Sequence, residues 1–308
     1  MIYDLAILGG GPAGVAAGVY AARKQLSTVF ITKNWEGQST VSEGIENWIG
    51  EVKISGLELS QKLEKHLKAY AGEIVHIHEG ESVTAVKQEN EKLFTITTDK
   101  GSYQAKTILL TTGSHRRKLE IPGAAEYDNK GLTYCASCDG PLYSGQDVAV
   151  IGGGNAAFEA AAQLAAYCRS VTLLNRSTNF RADPGTIETV SQNPKVHVVT
   201  MAVPKEVKGG KFVTNLIYTN TEKNQDVDLP VTGIFVEIGS LPNTSFLGNL
   251  IKLDPYNHVV TDARTQRTSL SGIWAAGDIT DGLYHQNNIA AGDAVKAVED
   301  IYLFLRAK

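Results

Sequence analysis

At 308 residues the chain is long for one compact core and comfortable for two domains of about 100–200 residues each. Its 43% hydrophobic and 20% charged residues exclude a disordered chain, and a formal net charge of -4 excludes the clustered cationic surface on which nucleic-acid or anionic-membrane binding rests. Three cysteines are too few for a secreted disulfide scaffold, no apolar run reaches the roughly 18 residues of a membrane span, and Met1-Ile2-Tyr3-Asp4-Leu5 enters a strand-like run without a secretory leader, so a cytoplasmic protein is expected.

Ala6-Ile7-Leu8 reads as a strand that runs into Gly9-Gly10-Gly11-Pro12-Ala13-Gly14, an Ala-rich helix to about Gln25 and a second strand, Ser27-Thr28-Val29-Phe30-Ile31. A helix is expected from Gly56 to Tyr70 and an antiparallel ribbon around Phe94-Thr95-Ile96-Thr97. The strand Thr107 to Leu110 then leads into Thr111-Thr112-Gly113. After Cys135-Ala136-Ser137-Cys138-Asp139 the opening pattern returns: Val148-Ala149-Val150-Ile151, Gly152-Gly153-Gly154-Asn155-Ala156-Ala157, a helix to about Cys168, and Val171-Thr172-Leu173-Leu174. Another ribbon around Phe212 to Tyr218 and a helix from about Asn288 to Leu305 follow. The expected fold class is α/β, with two Rossmann-like three-layer domains, the second (115–244) inserted in the first (1–114 and 245–308).

In G-x-G-x-x-G between a strand and a helix, the first Gly permits the tight turn, the second lets backbone approach a pyrophosphate, and the third lets helix and strand pack closely. Gly9, Gly11 and Gly14 fill those places, with Gly152, Gly154 and Ala157 in the repeat. The helix N-terminus adds unpaired N–H groups and about half a positive charge for the phosphates. Two such units suggest two dinucleotides with electrons moving between them.

A C-x-x-C turn holds two sulfurs close enough for a small disulfide ring that opens and closes reversibly. Structural zinc is the rival, but it needs four ligands, and Cys168 has neither a partner cysteine within three residues nor an H-x₃₋₅-H pattern beside it. Cys168 reads as a buried small apolar residue. Thiol exchange needs a proton donor for the leaving sulfur, and Asp139 stands next to Cys138 for that role, with a turn or N-cap residue as its bland alternative.

CASCDG at Cys135 to Gly140, followed by VIGGGN at Val150 to Asn155, resembles low-molecular-weight thioredoxin reductase. The likeness covers nearly the whole chain and includes Gly37-Gln38, Glu46-Asn47-Trp48, FVEIGSLPNT from Phe235 to Thr244, and Ala275-Ala276-Gly277-Asp278. It implies FAD on the first unit, held by Gly9, Gly11, Pro12, Ala13, Gly14, Gly37, Gln38, Asn47, Thr112, Gly113, Gly277, Asp278, His285, Gln286 and Asn287. It also implies NADPH on the second unit at Gly152, Gly154, Asn155, Ala157, Arg176 and Arg181, thioredoxin or a similar small dithiol protein as partner, and a homodimer. Cys138 would face the flavin and Cys135 would attack the partner disulfide, with the two domains turning about hinges near Gly113–Arg117 and Pro242–Ser245. The run from Cys138 through Pro141-Leu142 is similar as well to the flavoprotein subunit of alkyl hydroperoxide reductase, whose additional N-terminal thioredoxin-like module is not expected in this chain.

Departures from the family pattern concern the donor. Members that use NADPH carry His-Arg-Arg-x-x-x-Arg after the second strand of the repeat; here Asn175-Arg176-Ser177 and Arg181 leave two of three arginines, enough for a bidentate phosphate contact. An NAD site would place an acid at the strand end, and neither Asn175 nor Ser177 is one, so NADPH leads NADH. The same losses fit electrons taken from ferredoxin or another carrier. Glu36-Gly37-Gln38-Ser39 and His285-Gln286-Asn287 also replace the family's Gly-Gly-Gln-Leu and Arg-Gln-Ala.

Overall fold

In the computed structural model, which describes residues 1–35, 37–42 and 44–306, alternate residues of nearly every central strand belong to different cores. The elements in chain order are β1 (Ile2–Leu8), α1 (Pro12–Arg23), β2 (Thr28–Thr32), α2 (Gly56–Ala71), β3 (Val75–Glu79), β4 (Val83–Asn90), β5 (Leu93–Thr98), β6 (Ser102–Leu110) and β7 (Ser114–Arg116). There follow β8 (Leu132–Thr133), α3 (Ala136–Asp139), β9 (Asp147–Ile151), α4 (Asn155–Tyr167), β10 (Ser170–Leu174), α5 (Pro184–Ser191) and β11 (Val196–Val199). The series ends with β12 (Ala202–Gly209), β13 (Val213–Asn220), β14 (Gln225–Pro230), β15 (Gly233–Val236), β16 (Ser240–Pro242), β17 (Ile273–Ala275) and α6 (Asn287–Arg306).

The chain divides into two compact units, Met1–His115 with the return from Leu241, and Arg116–Ser240. The crossing segments β7 and β16 pair with one another. In the first unit the sheet runs β3-β2-β1-β6 in parallel, so β1 is flanked by β2 on one side and β6 on the other, the switch point at which open α/β sheets bind ligands. The far edge of β6 is shared: β5 pairs antiparallel with its first half and β17 parallel with Ile108–Leu110.

Leu5, Ile7, Phe30 and Leu109 face α1, α2 and α6, whereas Ala6, Leu8, Val29, Ile31 and Leu110 face the ribbon residues Phe94 and Ile96 and the return residues Leu247 and Val259. A strand segment buried on both faces reads as an unbroken apolar run, as residues 5–8 of β1 and 29–31 of β2 do. The small residues of α1 and α6, Ala17, Ala21, Ala294 and Ala297, allow close approach between those helices, and a side chain at Gly18 would meet Leu67 of α2.

The second unit repeats the plan with a parallel sheet β11-β10-β9-β15-β8. Val148, Val150, Val171 and Phe235 pack on α4 through Phe158 and Leu164, and Ala149, Ile151 and Val236 pack on the three-stranded ribbon through Val207 and Leu216. These two layered sheets bear out the α/β reading with two Rossmann-like units. Among the described residues no helix is long and apolar enough to cross a membrane.

Leu67 is fully buried beneath Gly18 and Phe30, so Leu67→Ala should lower stability by about 2–5 kcal/mol, read as a drop in the urea midpoint.

Candidate functional site

The first glycine turn joins β1 to α1 with contacts too close for side chains. Gly9 has φ +120°, and a Cβ on Gly14 would lie 1.8 Å from the Gly9 carbonyl oxygen. Gly11 has open space on its side-chain face, Pro12 starts the helix, and no acid stands in the first turn. The N-terminus of α1 therefore presents free N–H groups to an anion.

It opens on a cavity of about 820 Å³, inside the range of about 300–1,000 Å³ usual for cofactor sites. Gly9, Gly11, Pro12, Ala13, Gly37, Gln38, Thr112, Gly113, Gly277, Asp278 and Asn287 line it. The Gln38 amide donates to Ser114 Oγ at 3.1 Å and to Asp278 Oδ2 at 3.2 Å, tying three segments together. Ser39 Oγ donates to Asn287 Oδ1 at 3.0 Å, and Thr112 and Asn243 exchange side-chain to main-chain bonds at 2.9 and 2.8 Å. A cradle of bare backbone at a helix N-terminus, with room for an extended ligand, fits the pyrophosphate of FAD.

Four expected residues do not line this cavity. Gly14 lies behind the turn, while Asn47 donates to Gln286 Oε1 at 3.2 Å and takes the Asn288 amide on its carbonyl at 2.7 Å. His285 Nε2 is buried without a partner, its ring 6.0 Å from that of His258, which in turn contacts Asp254 at 3.1 Å. Glu36 lies outside the described residues.

Sequence reasoning missed the wall formed by Glu81, Ser82 and Val83. These residues follow β3 at the carboxyl end of the sheet, and that position was the available signal. Glu81 accepts hydrogen bonds from Thr98 Oγ1 at 2.8 Å and from Tyr103 Oη at 2.9 Å, and burial pushes the Tyr103 phenol up to about 12.

In the second unit Cys135 and Cys138 are joined as a disulfide with Cα atoms 5.3 Å apart. The turn between them is a single turn of helix, α3, rather than a loop, with Cys135 as its N-cap: its sulfur accepts the Cys138 N–H at 3.2 Å. The Thr133 hydroxyl accepts the Cys135 N–H at 3.3 Å and donates to Asp139 Oδ2, so Asp139 is bound into the turn that carries both sulfurs. Cys168 is 1% exposed in the α4 core, where burial pushes its thiol up.

The second glycine turn is equally tight, since a Cβ on Gly152 would lie 2.3 Å from the Glu237 carbonyl oxygen and 2.8 Å from the Ala157 methyl. Gly154 faces open space. Asn155 is turned to Asp183, donating to its carboxylate at 3.1 Å and accepting its N–H at 2.8 Å. Asn175 is buried and spends its amide on the carbonyls of Ser177 and Asn179 at 2.8 and 3.0 Å. Arg176 and Arg181 are exposed on either side of this loop.

Glu237, also missed by sequence reasoning, is a buried carboxylate at the end of β15. Its Oε2 lies 3.3 Å from Arg116 Nη1. Burial pushes it up to about 7, against the opposing pull of Arg116 and of the Ala136 N–H that faces it.

A family model described as pyridine nucleotide-disulphide oxidoreductase matches residues 3–294. The F subunit of alkyl hydroperoxide reductase from Pseudomonas aeruginosa is 40% identical over 296 residues, which cover 96% of this chain and 57% of that protein. NADH dehydrogenase of Bacillus subtilis is 35% identical over 304 residues, covering 98% and 58%. The chain thus spans little more than half the length of these curated relatives. The solved thioredoxin reductase from Streptococcus pyogenes superposes with a TM-score of 0.87 at 33% identity, covering 99% of this chain and 98% of that one.

Because Glu237 holds its proton more tightly in the fold than in the unfolded chain, the native state loses stability as pH rises from about 4.5 to about 7. Glu237→Gln should therefore gain up to about 3 kcal/mol over the native protein at pH 8 and little at pH 4.5, measured by urea midpoints.

Proposed function

The chain belongs to the pyridine nucleotide-disulphide oxidoreductase family, and on that premise we propose that it is a flavoprotein disulfide reductase of thioredoxin reductase type, passing electrons through FAD to Cys135–Cys138 and on to a small dithiol protein such as thioredoxin. The observation that carries this reading is the Cys135–Cys138 disulfide on a one-turn helix, in a chain whose other unit has a bare-backbone cradle opening on a dinucleotide-sized cavity. When bound, FAD accepts a hydride equivalent and passes electrons on in pairs.

In this reading Gly9, Gly11, Pro12, Ala13 and the α1 N-terminus hold the pyrophosphate, with Gly37, Gln38, Thr112, Gly113, Gly277, Asp278 and Asn287 along the rest of the molecule. Gly14 lets the turn close, and Asn47 ties its own segment to Gln286 and to Asn288 at the start of α6. Cys138 takes electrons from the flavin and Cys135 attacks the partner disulfide. Asp139, bound to Thr133, holds the proton that the leaving sulfur needs. The chemistry calls for a reducing compartment, the cytoplasm, and the family likeness favours a homodimer.

The family implies a pyridine nucleotide as donor, and NADPH is the form we favour. Asn175 has no amide N–H left for a ribose hydroxyl, whereas Arg176 and Arg181 are exposed, and the Arg181 N–H donates to the Gly153 carbonyl at 2.7 Å within the turn formed by Gly152, Gly154, Asn155 and Ala157. The likeness to an NADH dehydrogenase supports NADH as the alternative, and ferredoxin or another carrier remains for a flavin that neither nucleotide reduces. The likeness to the alkyl hydroperoxide reductase component favours one second reading, supply of electrons to a peroxide-reducing system.

Anaerobic titration tests the core of the proposal: the purified protein should be yellow and bleach with NADPH, and a colourless protein that takes up no flavin would sink it. Cys138→Ser should abolish disulfide turnover while flavin reduction by the donor survives in stopped flow. Arg176→Ala should raise KM for NADPH at least tenfold and leave KM for NADH unchanged; equal changes would reject the phosphate clamp.

A further inference from the structure

The carboxyl end of β15 brings a buried acid against the redox turn that no part of the functional reading uses. The Glu237 backbone is pinned beside β9, its N–H donating to the Ile151 carbonyl at 2.8 Å, and the missing side chain of Gly152 is what makes room for it. Its side chain is 6% exposed. Ala136, whose N–H faces the carboxylate, is bonded directly to Cys135 and lies between the two sulfur-bearing residues. The acid thus abuts the N-terminal end of the single helical turn that holds the disulfide.

The charges around it are few. Arg116 on β7 is the counter-charge, at 3.3 Å and itself one-third exposed. Glu159 on α4 adds a like charge, and Asp139 is the acid of the redox turn itself. The Ile151 carbonyl at the end of β9 and Gly152 just beyond it also approach, and neither titrates. A new negative charge on the redox turn would act on Glu237 with little to screen it.

We propose that Glu237 is a positioning residue of the redox turn, which takes up a proton when the Cys135–Cys138 disulfide is reduced and gives it back when the disulfide reforms. The inference rests on the reading of that pair as redox-active. With Glu237 ionised, the disulfide accepts two electrons and two protons; the S–S bond breaks, one sulfur becomes a thiol and the other a thiolate, and the second proton goes to the Glu237 carboxylate. Charge is conserved, because the thiolate's charge replaces that of the carboxylate. The electrons come from the reduced donor, or from dithiothreitol in the test. Glu237 suits the exchange because burial already holds it near half ionisation at neutral pH, where a modest added charge moves its proton.

The test follows the sulfur pair itself. Full-length holoprotein is equilibrated anaerobically in dithiothreitol redox buffers from pH 6 to 9, and the disulfide-to-dithiol ratio is read by thiol labelling and mass spectrometry. Once the protons that dithiothreitol itself releases on oxidation are subtracted, each additional proton bound on reduction steepens the equilibrium constant of the protein's own half-reaction by a factor of ten per pH unit, about 30 mV for a two-electron couple. The native protein should show this extra slope above pH 7, Glu237→Asp should retain it, and Glu237→Gln should lack it. Arg116→Gln should move the steep region to higher pH by removing the counter-charge, and it serves as the second arm should Glu237→Gln fold poorly. Superimposable slopes for the native protein and Glu237→Gln, or an Arg116→Gln profile that does not move, would overturn the proposal. Since the electrons are supplied chemically, this outcome is independent of whether flavin feeds the pair.

Discussion

Both nucleotide-type turns depend on backbone passing closer to backbone than any side chain would permit. At Gly14 against the Gly9 carbonyl, and at Gly152 against the Glu237 carbonyl, the missing Cβ lets a helix begin directly over the carboxyl end of its sheet. That placement aims the free N–H groups of α1 into the cavity and sets the Asn155 side chain at the start of α4 against the loop carrying Asp183, and burial of β1 and β9 on both faces holds the strands in register beneath them. A methyl group at either point would push the helix off its strand, and the anion-binding geometry would go with it.

The same sheet ends carry unlike electrostatics. The first unit lines its cavity mostly with neutral amides and hydroxyls, together with Lys33, Asp278 and Glu81, the two acids each accepting from hydrogen-bond donors. In the second unit the strand-end residue Asn175 is used internally, and Arg176 and Arg181 stand exposed on the loop beyond it. The redox turn itself carries Asp139, bound to a hydroxyl, and Glu237 at the end of β15 is buried against it with the partly exposed Arg116 as counter-charge.

What was legible in the sequence was whatever is encoded within a dozen residues. The glycine spacings, the C-x-x-C pair, the helices Gly56–Ala71 and Asn287–Arg306, and the paired ribbons all follow from local period and turn chemistry. The wall at Glu81–Val83, the Glu237–Arg116 pair and the contact between His258 and His285 join residues far apart in the chain, and no local spacing announces them. Asn175 shows the boundary between the two: its identity ruled out an acid at the strand end, but only the fold revealed that its amide turns inward. The C-x-x-C spacing shows a turn but not its helical form, because four residues are too short for helical periodicity to register; the structure shows one helical turn capped by Cys135.

The shared edge of β6 bears on how the polypeptide is made. In the first unit β17 and α6 complete the sheet and cover α1, yet both are translated after the whole of the second unit. The Arg116–Ser240 stretch is continuous and can close as soon as it leaves the ribosome, whereas the earlier-born half must wait with the apolar face of α1 uncovered. Nascent chains arrested before α6 emerges would thus pair a finished inserted unit with an open host, which makes that interval the one in which chaperones have most to shield.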